Sequence, residues 1–308
     1  MDFTLVEKTK TKKQHFVPQF YLKNFCNAQN KLCVYDKKDK KYFYSTSKDI
    51  CYKNYLYEYD ADDSLMSNGK HILPNDIENI YAKEEGNYSA FLKVLLKRLN
   101  AQINPNAIIL NSSEISVLYD FINNLMIRHP NMMDRFLTDK DYSHFCNVIE
   151  ESGTANVLKE IFDGMKLGSP EGFKRSVFKK IYLDSKGSNG KGVTFVPYLN
   201  EMSFVFLKSE TEGFITSDYP IRMAIYEDDD CFDSLYFPLS PKYAINFFNC
   251  KTADRNRIRV IDSEMTNKLN VWMLVDEENR LIISNDRTSI NQTFVYKKKS
   301  LSICEQVQ

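Results

Sequence analysis

Four side chains at widely separated positions carry most of the chemistry that this sequence offers: His15, Glu85, Arg128 and Asp218. A histidine beside a carboxylate acts as an acid or base near neutral pH, so His15 oriented by Asp218 is a candidate acid–base pair. Arg128 has the planar guanidinium that holds a phosphate or carboxylate through two hydrogen bonds. Glu85 and Asp218 offer the oxygen ligands that Mg²⁺ or Mn²⁺ prefers. Together the four predict a site for a phosphate-bearing substrate.

His15 belongs to the least generic stretch of the chain, the run QHFVPQFYLKNF at positions 14–25. Pro18 suits the first turn of a helix, because a residue there needs no hydrogen-bonded N–H. The apolar residues that follow have the spacing of one face of a short helix: Phe20, Tyr21, Leu22 and Phe25. We expect this face to be buried, which would fix His15 and Gln19 where the chain enters the fold.

Arg128 and Asp218 both lie where an element is expected to end. Arg128 closes a helix that begins near Asn111 or Ser112 as its N-cap, because Pro130 stops it. Asp218 ends a short strand in front of Pro220, and polar groups on such turns are common places for chemistry. The structural alternative is an Asx turn, in which the aspartate bonds its own backbone. The side chains predicted to bind the substrate are Gln19, Asn124, Thr216 and Ser217.

Glu85 lies on a long helical pattern that starts at Pro74-Asn75-Asp76 and continues to about Leu99. It shares a face with the apolar residues Tyr88 and Leu92, at i+3 and i+7. A carboxylate on an apolar stripe must be paired, hydrogen-bonded or exposed at the edge of the stripe. Glu85 is therefore either a solvated residue at that edge or a buried functional acid.

Four stretches, taken in this order, resemble the bacterial domain-of-unknown-function 4238 family: 15–25, Ile127-Arg-His-Pro130, Ile215-Thr-Ser-Asp-Tyr-Pro220 and Pro238-Leu-Ser-Pro241. The resemblance covers about 14–297. Family members usually have Thr where this chain has His129, and Asn where it has Tyr219, whereas Arg128 and Asp218 match. The resemblance implies a shared fold and a shared site, and it implies no activity.

The composition is that of a folded protein without a global electrostatic field. Lys plus Arg equals Asp plus Glu at 41 each, so a nucleic-acid partner would need a local basic patch. The basic segments Lys8–Lys13 and Lys297–Lys299 are typical of solvated termini, and binding of nucleic acid is the alternative. Seven scattered cysteines without a C-x-x-C pair predict reduced thiols. With no apolar leader or membrane-length run, we expect a cytoplasmic protein without membrane contact.

The hydrophobic patterns predict an α+β fold. A basic leader, 1–13, precedes a single compact domain over 14–308, in which 14–74 carries the opening motif and a small β region with a hairpin at 31–45. A helical bundle follows over 75–184, then a polar linker, 185–192, and an antiparallel β-rich region with a late helix over 193–308. We predict strands at 55–59, 193–196 and 292–297, and a helix from Ser263 with that residue as its cap.

Two classes of function fit these residues, and a third is weaker. The first is a hydrolase acting on a phosphate-bearing substrate, with a nuclease of bacterial defence or conflict as its most specific form, Mg²⁺ or Mn²⁺ as cofactor, and nucleic acid or a nucleotide as ligand. The second is a ligand- or nucleic-acid-binding or sensor module, in which His15, Arg128 and Asp218 form a structural network. The third is a hydrolase with a Cys or Ser nucleophile, for which no G-x-S-x-G motif is present. The oligomeric state is open.

Overall fold

A computed structural model describes residues 10–58, 75–131, 142–144, 146–147, 195–225, 232–249 and 255–306. The chain forms two compact units. The first unit comprises Met1–Phe16, Tyr52–Glu84 and Ile127–Thr194, and the second comprises Val17–Cys51, Glu85–Met126 and Phe195–Gln308. Helices and antiparallel sheets both occur, which confirms the α+β class. The single domain over 14–308 stays a prediction.

The first unit contains a small antiparallel pair of strands near the start of the chain. Strand β1, Lys13–His15, pairs with β4, Tyr52–Asn54. The strand predicted at 55–59 is wrong within the described residues, because β4 ends at Asn54 and Tyr55 adopts a left-handed φ of 55°. Strand β1 begins at Lys13, which is the last residue of the predicted leader. The predicted leader therefore includes the first residue of a strand.

The opening motif forms the short helix that its spacing predicts. Helix α1, Gln19–Leu22, has Pro18 at its N-cap, and the 3₁₀ turn Lys23–Phe25 continues it. The apolar face is buried as expected: Tyr21, Leu22 and Phe25 have no exposed surface, and Phe20 is half-buried.

A four-stranded sheet of the second unit joins strands from distant parts of the chain. Its order is β3-β2-β11-β6, and every pair is antiparallel. The hairpin of β2, Leu32–Asp36, and β3, Lys41–Ser45, confirms the prediction for 31–45. Strand β11, Leu281–Ser284, inserts between that hairpin and β6, Thr216–Ser217. This pairing brings the Thr-Ser-Asp stretch next to strand β11.

A five-stranded sheet in the order β10-β5-β9-β8-β7 forms the other layer of the second unit. Its strands are β5 at Ser203–Ser209, β7 at Arg222–Ile225, β8 at Phe232–Pro238, β9 at Tyr243–Phe248 and β10 at Ile258–Ile261. All pairs are antiparallel except β10 with β5. The core beneath it includes Leu207, Tyr236 and Ile282, so the two sheets share apolar contacts.

Five further helices are described: α2 at Asp76–Ala101, α3 at Ser112–Ile127, α4 at Val196–Glu201, α5 at Ser263–Val275 and α6 at Arg287–Gln306. Asn111 caps α3, because its Oδ1 accepts the N–H of Glu114 at 3.0 Å while Glu114 accepts the N–H of Asn111 at 2.9 Å. The cap of α5 is Asp262 and not Ser263, since Asp262 accepts the N–H of Met265.

Two predicted strands are helical. The strand at 193–196 is wrong within the described residues, because Pro197 in the first turn favours helix α4 from Val196. The strand at 292–297 is also wrong. Ile290 and Thr293 are completely buried three residues apart, which is the period of a helix, and Asp286 accepts the N–H of Ser289 at 2.9 Å where α6 begins.

Several predictions concern residues outside the described ranges. The linker 185–192 and the helical patterns at 154–184 lie there completely, and so does most of the helical region beyond residue 131. Among the described helices, none is both long enough and apolar enough to cross a bilayer.

Candidate functional site

Asp218 lies at the end of β6, and its carboxylate continues the ladder between β6 and β11. The main-chain N–H of Asp218 donates to the carbonyl of Leu281 at 3.2 Å. In return its Oδ1 accepts the N–H groups of Arg280 and Leu281, both at 3.0 Å. The side chain therefore substitutes for a further strand residue. These two N–H groups belong to another strand, and a hydrogen bond from the backbone of Asp218 itself also lowers the pKa of the carboxyl. The side chain therefore combines the contact with β11 and the contact with its own backbone that the structural alternative expects.

Burial gives Asp218 an unusual proton affinity. Removal from water raises the pKa of its carboxyl from 3.8 to about 6, against the opposing effects of the two backbone N–H donors and the Lys37 ammonium. The group therefore titrates near neutral pH. That property suits a general acid or base, and it also makes the folded state sensitive to pH.

The predicted substrate ligands Thr216 and Ser217 are completely buried. The Thr216 hydroxyl and the Tyr21 hydroxyl are 2.7 Å apart, and Tyr21 donates to the carbonyl of Pro238 at 2.7 Å. Ser217 donates to the carbonyl of Tyr219 at 2.7 Å. These contacts give both residues a structural role, and their binding of a substrate stays a prediction.

Tyr21 joins three of the four stretches singled out by sequence. It comes from the opening motif, Thr216 from the Thr-Ser-Asp stretch and Pro238 from the Pro-Leu-Ser-Pro stretch. Since Tyr21 donates to Pro238, it accepts from Thr216, so one hydroxyl satisfies both partners. Its ring stacks on that of Phe237 with centroids 5.3 Å apart. Burial raises the pKa of Tyr21 well above its ordinary value, which keeps it protonated as a donor.

His15 and Arg128 come together in the first unit through the main chain of His15. A terminal nitrogen of Arg128 donates to the carbonyl oxygen of His15, and the guanidinium lies 4.2 Å from the centre of the Tyr81 ring. The Tyr57 hydroxyl donates to the carbonyl of Arg128 at 2.9 Å. The histidine ring lies against Tyr52, 5.5 Å between centroids. Arg128 is only 2% exposed, and its described contacts hold the main chain of His15 in place.

A second buried network in the first unit involves residues that the sequence analysis missed. Gln14 donates through Nε2 to Glu58 at 2.6 Å and accepts the N–H of Tyr57 at 2.6 Å. The other oxygen of Glu58 accepts the N–H of Asn75 at 3.2 Å. The sequence feature that could have identified Gln14 is its position inside the opening motif, next to His15. No sequence feature marks Glu58, because a lone acid beside a polar loop is typical of a surface residue.

Three predicted site residues lie elsewhere in the second unit. Glu85 is half-buried on α2, while Tyr88 and Leu92 of the same helix are buried, which fits the edge of the apolar stripe. Asn124 is buried on α3, and Gln19 is half-buried at the start of α1. His15 and Arg128 belong to the first unit, so the four-residue catalytic set stays a prediction.

The metal site predicted from Glu85 and Asp218 depends on the remaining oxygen of Asp218. Its Oδ1 already accepts two main-chain N–H groups, which leaves Oδ2 for a cation. Within the described ranges, no group of three or more His, Cys, Asp or Glu side chains has the arrangement of a metal site. The predicted Mg²⁺ or Mn²⁺ site therefore stays a prediction with two named ligands.

A basic cleft, which the sequence analysis did not identify, lies near Asp218 in the second unit. It has a volume of about 520 Å³ and is formed by the β2–β3 turn, the end of α5 with the loop that follows, and α6. We define the basic cleft by its lining residues: Lys37, Lys38, Leu274, Val275, Glu277, Asn279, Arg280 and Lys297. Four of the eight lining residues are cations and one is an acid, while Asp36 and Asp39 beside the cleft form ion pairs with Arg280.

Two cations of the cleft are held in place by neighbouring groups. Lys37 donates to the carbonyl of Asp276 and, at 2.9 Å, to Oδ1 of Asn279. Arg280 donates through Nε and one terminal nitrogen to Asp36, at 3.0 and 2.7 Å, and this bonding lowers the pKa of Asp36. Burial lowers the pKa of the Lys37 amine. The carboxylates of Asp276 and Asp218 raise this pKa in opposition, and the more weakly acting cations Arg222 and Lys297 lower it.

Replacing Asp218 by Asn is expected to change how stability depends on pH. The folded-state pKa of about 6 exceeds the ordinary 3.8, so ionisation of Asp218 opposes folding as pH rises between these values. The cost reaches about 3 kcal/mol above pH 6, at about 1.4 kcal/mol for each pKa unit. Denaturant unfolding of Asp218→Asn and wild type across this range should show the variant gaining relative stability.

The matched control is Glu201→Gln, which removes an exposed carboxyl. Because the substitution is on the surface, it should change the free energy of unfolding by about 0.5 kcal/mol or less. A constant difference between Asp218→Asn and wild type from pH 4 to pH 7 would contradict the raised pKa.

Comparisons with known proteins identify a family. A family model described as "Protein of unknown function (DUF4238)" matches residues 13–288. Neither the curated proteins nor the solved structures include a match to the chain. The match begins at Lys13, where β1 begins, and it includes the opening motif, Arg128, the Thr-Ser-Asp stretch and Arg280.

Proposed function

The chain belongs to the DUF4238 family of proteins of unknown function, and we propose that it is a binding module for a phosphate-bearing ligand, a nucleotide or a nucleic acid, which binds in the basic cleft. In this proposal the cytoplasm is its location, in keeping with the free thiols of Cys26, Cys33 and Cys51. In it, His15 and Arg128 stabilise the fold and Asp218 joins β6 to β11, and none of the three performs chemistry.

The observation that carries the proposal is the concentration of charge in the cleft. Lys37, Lys38, Arg280 and Lys297 line one cavity with a single acid, Glu277, among its described lining residues. Lysine ammonium groups and arginine guanidinium groups are the side chains that proteins use to hold phosphates. By contrast, the described bonds of Arg128 and Asp218 go to main-chain groups.

The proposal predicts that removing two cleft lysines weakens binding of nucleic acid. Lys38→Ala with Lys297→Ala should reduce the affinity for a short labelled DNA or RNA strand on the order of tenfold, about 1.4 kcal/mol. It should also flatten the salt dependence, because each lost phosphate contact on a single strand removes about 0.7 units from the slope of log affinity against log salt. Fluorescence anisotropy at several salt concentrations measures both quantities. Titration of pyrophosphate by calorimetry extends the test to nucleotide-sized ligands.

Lys298→Ala is the matched control. Lys298 is exposed on α6 next to Lys297, and it is not among the lining residues of the cleft. The control should retain most of the wild-type affinity. Wild-type affinity in the double variant would remove the cleft as the binding site.

A second candidate is a hydrolase of bacterial defence or conflict, most specifically a nuclease. The pKa of Asp218 of about 6 favours this candidate, because a carboxyl that titrates near neutral pH can transfer protons in a reaction. Incubation of the protein with RNA and DNA, with Mg²⁺, Mn²⁺ or a chelator, tests it. Cleavage lost in both Asp218→Asn and His15→Ala, with folding retained, would favour the nuclease. Cleavage unchanged in both variants would remove these residues as its catalytic groups.

A further inference from the structure

We infer that the basic cleft recognises a chain of phosphates through charge alone, so that binding is independent of nucleobases. This inference rests on the proposed function and names the chemical class of its ligand. The shared chemistry is a flexible polyanion with repeated phosphate groups. Two sources supply it: the backbone of a single-stranded nucleic acid and inorganic polyphosphate.

The lining of the cleft has no surface suited to a base. Its apolar part consists of two aliphatic side chains, Leu274 and Val275, and none of its described lining residues is aromatic. Proteins that hold single-stranded bases use aromatic rings as stacking platforms, or arrays of amides and arginines that bond the edges of bases. Asn279 is the one amide in the described lining, and its oxygen already accepts from Lys37.

The cations are spread over three elements rather than gathered around one point. Lys37 and Lys38 come from the β2–β3 turn, Arg280 from the start of β11, and Lys297 from the middle of α6. A single phosphate has too few oxygens to reach all of these groups, whereas a phosphate chain can contact them one after another.

Arg280 keeps a donor for such a chain. Its Nε and one terminal nitrogen bond to Asp36, while its other terminal nitrogen has no hydrogen bond within the part of the chain that the structure describes. The side chain is 53% exposed. The terminal nitrogen that bonds Asp36 also lies 3.6 Å from Oδ2 of Asp39, so two acids fix the orientation of the guanidinium and leave its other terminal nitrogen for an oxyanion. A guanidinium held in this way loses little side-chain entropy when it binds an oxyanion.

The experiment compares single strands that differ only in their bases. The probes are labelled oligo-dT, oligo-dA and a strand of equal length made of abasic sites, with a neutral methylphosphonate strand as control. Anisotropy with the full chain should give dissociation constants within about threefold for the three charged strands and no binding of the neutral one. With four cations engaged, the slope of log affinity against log salt should be about −3, at about 0.7 for each phosphate on a single strand.

Unlabelled polyphosphate then competes against labelled oligo-dT. Displacement at lower phosphate concentration than by the abasic strand would identify polyphosphate as the preferred source, and the reverse order would identify a nucleic-acid backbone. Binding of oligo-dT with a loss of at least tenfold for the abasic strand would overturn the inference while leaving the proposed function in place. No binding of any strand, of polyphosphate or of pyrophosphate would instead remove the proposed function.

Discussion

Tyr21→Ala is expected to lower the free energy of unfolding by about 5 kcal/mol. The substitution leaves a cavity where the aromatic ring was, and it leaves two buried groups without their hydrogen-bonding partner. Tyr21 has no exposed surface, and its ring packs against Phe25, Phe121 and Phe237. Its hydroxyl satisfies both Thr216 and the carbonyl of Pro238. Denaturant unfolding followed by circular dichroism measures the loss.

Tyr21→Phe separates the hydroxyl from the ring. It keeps the packing and removes both hydrogen bonds, so we expect a loss of about 2 kcal/mol. A double-mutant cycle with Thr216→Val should give a coupling energy of about 1 kcal/mol for the hydroxyl pair. Tyr44→Ala is the control, because Tyr44 is 62% exposed on β3 and should cost under about 1 kcal/mol. Equal stability of Tyr21→Phe and wild type would show that the hydroxyl does not join the three stretches.

Arg128→Ala is expected to cost about 4 kcal/mol. The change leaves the carbonyl of His15 without its donor and opens space beside the Tyr81 ring, in a place that is almost completely buried. The measurement is the free energy of unfolding at neutral pH. Because this role is structural, binding of a phosphate-bearing strand by the folded fraction should remain at the wild-type level.

Arg128→Lys tests whether charge is enough. A lysine keeps the charge but lacks the planar group that bonds a carbonyl and stacks on an aromatic ring together, so it should recover less than half of the loss. Lys53→Ala removes an exposed cation from β4 of the same unit and should change stability by about 0.5 kcal/mol or less. Full stability of Arg128→Ala, with loss of ligand binding, would assign the guanidinium to a ligand instead.

Local patterns predicted those parts of the fold in which the interactions are close in sequence. The hairpin at 31–45, the start of α2 within 74–76 and a cap of α3 at Asn111 or Ser112 were predicted from turn residues, spacing and capping groups, and the structure has the cap at Asn111. The burial of Tyr21, Leu22 and Phe25 follows from the period of the opening motif. In each case the physical cause lies within about ten residues of its effect.

Long-range pairing could not be predicted in the same way. Strand β11 lies between β2 and β6, more than 240 positions from the former, and no local pattern marks that partner. The run at 292–297 has the β-branched and aromatic residues of a strand, yet the buried contacts of Ile290 and Thr293 make it helical. Tertiary packing overrode propensity there.

The candidate site was also predicted only in part from the sequence. Sequence predicted that Arg128 and His15 lie within reach of each other, and the structure places a terminal nitrogen of Arg128 against the carbonyl of His15. The sequence did not predict that the arginine would bond a main-chain oxygen, because residue type alone does not show whether a carbonyl or a phosphate is its acceptor. The basic cleft was missed because Lys37, Arg280 and Lys297 meet only after β11 inserts beside the hairpin.

Hydrogen–deuterium exchange of the full chain, with and without pyrophosphate, shows where a phosphate-bearing ligand binds. If it binds in the basic cleft, exchange slows in peptides that contain Lys37 and Lys38, Arg280 or Lys297. Exchange stays unchanged in peptides that contain His15 or Arg128, because these residues support the fold. Slower exchange at His15 and Arg128 with no change around the cleft would contradict binding in the cleft.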